Sequence, residues 1–214
     1  MSNCLTLTRW TSAILLVGSL ASVAVFAQQP GQRVVSQHPL EPGIQSPLEV
    51  VSVWVKGKAV EVGQPFESGD DWLMGLTIRV KNVSGKPISF VDVRLHFPTP
   101  AGDNRKSVGF SGMFRFGCWR GGGGVAPCAM GSCKEIMPEQ MQDIELTEET
   151  YKRLGRALAE FNLQRTVESV QFEIAGVVFD PDTMWSRGLL FKRDPVKANK
   201  FRTVGRYLLT NKPE

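Results

Sequence analysis

The sequence predicts a mainly β fold: an antiparallel β-sandwich with one inserted amphipathic helix. Three observations predict it. Residues 76–81 and 88–97 alternate apolar with polar side chains, the period of a strand with one buried face. Turn-forming clusters at 82–87 and 180–183 punctuate a series of about seven such short runs, the rhythm of an all-β two-layer domain. Only one segment, beginning at Thr147, carries helical periodicity.

The chain opens on a secretory signal peptide, residues 1–27. Arg9 supplies a basic start, residues 10–27 carry no charge, and the stretch ends Val25-Phe26-Ala27 before Gln28-Gln29-Pro30. An uncleaved membrane anchor is the alternative, since the 18-residue stretch is near the lower limit for a spanning helix. Ser12, Gly18, Ser19 and Ser22 dilute it, and the Val-x-Ala ending favours cleavage. Cys4 precedes the apolar run, where a lipid-modified cysteine would have to follow it. The expected location is therefore secreted or periplasmic. Processing leaves 187 of the 214 residues, enough for one domain with a real core.

Residues 28–47 read as a Pro/Gln-rich linker, punctuated by Pro30, Pro39, Pro42 and Pro47. The sandwich domain is expected over 48–194 and a basic tail over 195–214. The net charge of +4 falls to +3 without Arg9, the leader's only charged side chain; so small an excess argues against nucleic acid. Cations gather near the C-terminus, at Lys192, Arg193, Lys197, Lys200, Arg202, Arg206 and Lys212. Such a segment suits an anionic envelope surface, although a solvated terminal arm is the simpler expectation.

Within the domain, Leu48–Val55 is valine-rich with apolar residues at both parities, as in a strand buried on both faces or a helix segment too short to stand alone. Residues 76–81 place Leu76, Ile78 and Val80 on one face, and 88–97 place Val91, Val93, Leu95 and Phe97 on one face. The turn cluster at 82–87 between them predicts an antiparallel hairpin. Residues 108–116 form a strand in which Gly109 and Gly112 mark bulges or a bend, and 142–146 is a short candidate. Thr147 is a good helix N-cap; Glu148 and Glu149 complement the positive first turn; Tyr151, Leu154, Leu158 and Phe161 make one apolar stripe for packing on a sheet. Residues 167–179 form the longest late strand, with Val170, Phe172, Ile174 and Val178 read as in phase. A type I turn at 180–183 returns the chain into a strand over 184–191.

Residues 80–88, Val-Lys-Asn-Val-Ser-Gly-Lys-Pro-Ile, resemble a segment widespread in immunoglobulin-like domains of bacterial exported proteins. There a strand ends in Asn-x-Ser and restarts at Pro-Ile or Pro-Val. Residues 178–185 are similar to a Phe-x-Asp-Gly-Thr-x-Trp hairpin of uncharacterised members of that group, with Pro181 and Asp182 departing from its Asp-Gly pair. The resemblance is confined to these two hairpins. It implies an immunoglobulin-like β-sandwich and carries no activity.

Cys118, Cys128 and Cys133 are the only cysteines left after processing, and they share one glycine-rich segment with Gly121–Gly124. In an oxidising compartment they are disulfide candidates, with 118–128, 128–133 and 118–133 all open and one thiol left over. Clipping a loop of that size stabilises a fold by about 2–3 kcal/mol on the chain-entropy model. The nine- and four-residue gaps match no zinc knuckle, and no histidine lies nearby. Trp119 and Arg120 are candidate partner-binding residues, an aromatic anchor beside a cation. Trp72 is also placed in a loop, whereas Trp54 and Trp185 are expected in the core. Glu67, Asp70 and Asp71 in one loop, with Asp180 and Asp182 in another, make an oxygen-ligand cluster conceivable, although turn-forming aspartates are commonplace. Of the two mature histidines, His38 falls in the linker and His96 on a polar strand face expected to meet solvent. Neither is paired in sequence with a nucleophile, so no catalytic constellation is assigned.

The function expected is an exported, non-enzymatic binding or structural module with a protein or cell-envelope partner and no cofactor. The alternative is a thiol- or metal-binding protein using Cys118, Cys128 and Cys133.

Overall fold

The computed structural model describes residues 31–98, 107–118, 134–160, 167–197 and 200–207. The leader, Trp119, Arg120, Cys128, Cys133 and Phe161 lie outside the described residues. The described chain runs β1 (Gly31–Gln37), β2 (Leu48–Val55), β3 (Lys58–Val60), β4 (Pro65–Ser68), β5 (Leu76–Asn82) and β6 (Phe90–Pro98). It continues through β7 (Ser107–Gly117), β8 (Met141–Glu145), α1 (Glu148–Glu160), β9 (Ser169–Asp180), β10 (Thr183–Ser186), β11 (Leu189–Arg193) and β12 (Phe201–Arg206). The fold is mainly β, with two sheets and one helix among the described residues and no closed barrel.

The smaller sheet has the order β3-β2-β5-β8. The larger contains β1, β4, β6, β7, β9, β10, β11 and β12. Alternation dictates what each buries: Ile78, Val80 and Ile144 of the small sheet join Val91, Val93, Leu95, Phe114, Phe172 and Trp185 of the large one in a single apolar core. Each such side chain taken out of water contributes roughly 1.5–3 kcal/mol, so this shared core holds the two sheets together. Thr147 caps α1, its Oγ1 accepting from the Thr150 amide at 3.3 Å, and Leu154 and Leu158 bury the helix's apolar stripe.

Strand β9 organises the large sheet. Antiparallel β6 follows one edge from Gln171 to Val178. The other edge is divided: β1 pairs parallel with Ser169–Phe172, and β10 pairs antiparallel further along at Val177, Val178 and Asp180. Opposite the step from Asp92 to Val93 the register shifts, leaving Ala175 without its own partner. This bulge reverses the side-chain phase, so Val170, Phe172 and Ile174 enter the core from one side of it and Val177 and Phe179 from the other.

Several expectations need correcting. Residues 76–81 and 88–97 are strands, but they do not pair: β5 binds β2 and β8, while β6 binds β7 and β9. The segment between them crosses from one sheet to the other. Asn82, fully buried, donates to the Lys86 and Ile136 carbonyls and accepts from the amide and hydroxyl of Ser84, so its side chain builds the crossing. The stretch read as a linker contains β1, whose Arg33 and Val35 are buried, and the stretch read as a tail contains β12. The return strand over 184–191 is interrupted by a turn with φ of +48° at Arg187 and +85° at Gly188. Val178 lies outside the main core cluster because of the bulge. Trp54 is half-buried with Arg79 above its ring, whereas Trp72, like Trp185, is fully buried, the Trp72 Nε1 donating to the Val167 carbonyl at 2.6 Å.

Candidate binding site

The divided edge of β9 leaves a notch where β1 departs and the β10–β11 turn arrives. His38, just beyond β1, keeps its amide on the Phe172 carbonyl at 2.8 Å. The chain then turns away through Pro39, Leu40, Glu41 and Ile44, which line a notch of about 170 Å³ together with His38, Glu173 and Arg187. The turn's Gly188 is packed under Ile44: a Cβ there would lie 2.6 Å from Ile44 Cγ2. Glycine is required on both counts, conformation and space.

Glu173 is the centre of the arrangement. It points to the outer face of the sheet yet is only 4% exposed. Arg187 grips it with two hydrogen bonds, Nε to Oε1 at 2.6 Å and Nη2 to Oε2 at 2.9 Å. His96 Nε2 lies 2.9 Å from Oε2, and Arg94 Nη1 is 3.8 Å away. Burial alone would raise this carboxyl's pKa, but the hydrogen bonds from Arg187 and His96 and the charges of Arg187 and Arg94 outweigh it and hold the group below the ordinary glutamate value. The same pairing raises the Arg187 pKa.

His96 is covered. His38 stacks on it with ring centroids 5.1 Å apart and planes at 21°, and Nδ1 of His38 lies 3.4 Å from Gln171 Oε1. Room for this comes from Gly109, opposite His96 on β7, where a Cβ would sit 3.1 Å from both His96 Nδ1 and Arg94 Cδ. The two histidines of the chain thus meet in one cluster. The expected solvent-facing His96 is corrected: it stands on the polar face, but Glu173 and His38 enclose it. Sequence reading missed Glu173 and Arg187. The signals present were the polar parity of Gln171 and Glu173 and a glycine inside a strand, which marks close approach as well as bends.

The other predicted site residues are dispersed. Asp70 pairs with buried Arg33 at 2.5 Å, Asp71 with Lys56 at 2.5 Å, and Asp182 with Arg193 at 2.8 Å. Asp180 Oδ1 accepts the Asp182 amide and shapes its own turn. Among the described residues no group of three or more histidine, cysteine or acidic side chains is placed to hold a metal. Cys118 is half-buried at the end of β7, its amide on the Ser89 carbonyl at 3.0 Å, beside a shallow cavity of about 190 Å³ with Ser89, Glu135 and Asp180. The rest of the cysteine segment lies outside the described residues. No helix among the described residues is long and apolar enough to cross a membrane. No protein-family model, curated protein or solved structure matches the chain.

Proposed function

We propose that the protein is an exported, non-enzymatic binding module, an immunoglobulin-like β-sandwich whose ligand site is the notch beside Glu173. The observation that carries this reading is a lined recess on the outer sheet face with two kinds of wall. Arg187, His38, Glu41 and Glu173 are polar, with the Glu173 charge already met by Arg187, and Pro39, Leu40 and Ile44 are apolar, the mixture by which small ligand sites fix orientation and gain affinity. Arg187 spends Nε and Nη2 on Glu173, so Nη1 remains for a ligand carboxylate. The ligand class is a small carboxylate with a short apolar body, or a peptide terminus of that form.

A binding role fits the histidines better than acid–base catalysis. His96 Nε2 is committed to Glu173, His38 Nδ1 faces Gln171, and no hydroxyl or thiol bonds either ring among the described residues. The disulfide is proposed as a structural clip joining Cys118 to Cys128 or Cys133, supported by the place of Cys118 at the end of β7, where such a bridge would tie down a strand end.

Titration of the isotope-labelled protein with N-acetyl-phenylalanine, followed by NMR, tests the site. Saturable shifts are expected at His38, Leu40, Ile44 and Arg187, smaller with phenylethylamine, and lost in Arg187→Gln. Equal response to the amine, or shifts unchanged by that substitution, would remove the notch as the site.

A further inference from the structure

We propose that the tip of the β11–β12 hairpin docks the protein on an anionic lipid surface. Among the described residues β12 is an edge strand, bonded to β11 alone, and every residue from Arg202 to Arg206 is exposed. The two strands converge on a turn closed by Asp194 N to Lys200 O at 2.9 Å and Lys200 N to Lys197 O at 2.8 Å. Four cations surround that turn: Lys192, Lys197, Lys200 and Arg202. None forms an ion pair with a carboxylate among the described residues. Asp194 is the only acid between Leu189 and Arg206. Its Oδ1 accepts the amides of Val196 and Lys197, which fixes the turn, and those bonds hold its carboxyl below the ordinary range.

Two further observations point to the occupant. Lys192 and Arg202 are direct cross-strand partners, a like-charge pairing that the charge of Asp194, acting on Arg202, offsets in part and that a bound anion would relieve further. Val196, at the turn, is 87% exposed. A valine presented at the apex of a cationic hairpin matches a lipid surface, where anionic headgroups meet the lysines and the acyl boundary takes the apolar side chain. A soluble polyanion has no use for Val196. Arg193 is excluded from the contact because it is held by Asp182 and lies over Phe201. The tip lies at the far end of β11 from the Arg187–Gly188 turn, so docking leaves the notch open.

Sedimentation of the exported protein with vesicles rich in phosphatidylglycerol, against vesicles of phosphatidylcholine alone, tests the proposal. Binding is expected on the anionic vesicles only and falls with added salt. Combining Lys192→Gln, Lys197→Gln, Lys200→Gln and Arg202→Gln weakens it by more than roughly 100-fold, at about fivefold for each cation. Val196→Asp, at an exposed turn position, weakens binding with the thermal midpoint unchanged, which separates docking from folding. Equal binding to both vesicle types, or undiminished binding by the charge variant, overturns the proposal. So does binding to dextran sulfate but not to anionic vesicles, which reassigns the arm to a soluble polyanion.

Discussion

Glu173 shows how one residue couples stability to the site. Its carboxylate is buried, and its compensation comes from Arg187, His96 and Arg94 on neighbouring elements. Removing it by Glu173→Ala is expected to cost about 2 kcal/mol, below the usual loss for a broken buried pair because the freed Arg187 is already half solvated. Urea unfolding measures this. The lowered pKa gives the sign of the pH effect: the folded chain keeps Glu173 charged below the ordinary value of 4.5, so its contribution is present above that value and lost as pH falls through the folded pKa. The Glu173→Gln variant should therefore show a flatter decline of stability with acid than the parent. Asn82 is a second such residue. Its polar identity was legible as a turn former, but its burial was not, because the carbonyl of Ile136 it serves is 54 positions away.

At the scale of elements, strands were legible and their partners were not. Alternation in β5, β6 and β9 is a property of each segment alone, whereas pairing depends on which sheet receives the next strand. The segment at 82–87 has the composition of a hairpin loop and performs a crossing. Strand β1 was hidden by its glutamines and flanking prolines, because a short strand needs only Val35 and the stem of Arg33 inside. The type I′ geometry of Arg187–Gly188 was hidden because arginine is an unusual residue at positive φ. Glycines record what composition cannot. Gly117 has φ +74°, and a Cβ there would lie 2.1 Å from the Ser89 carbonyl oxygen. Gly117→Ala is expected to destabilise the fold by at least about 3 kcal/mol, read as a fall in the urea midpoint, or to prevent folding.

At the scale of the whole molecule, the candidate site exists because β9 has two successive partners on one edge. A parallel β1 that stops at Gln37 and a β10 that begins beyond the bulge leave a recess beside Glu173 on that edge. The β-rich class follows from local patterns, while the meeting of His38 and His96 follows from topology that joins segments 58 residues apart. This topological gap is the proposed ligand site. NMR of the imidazole ring protons during titration with N-acetyl-phenylalanine tests it most directly. Overhauser contacts between His38 and His96 are predicted in the free protein, with both rings shifting together to saturation. Rings without mutual contact, or unmoved while other residues respond, would contradict it.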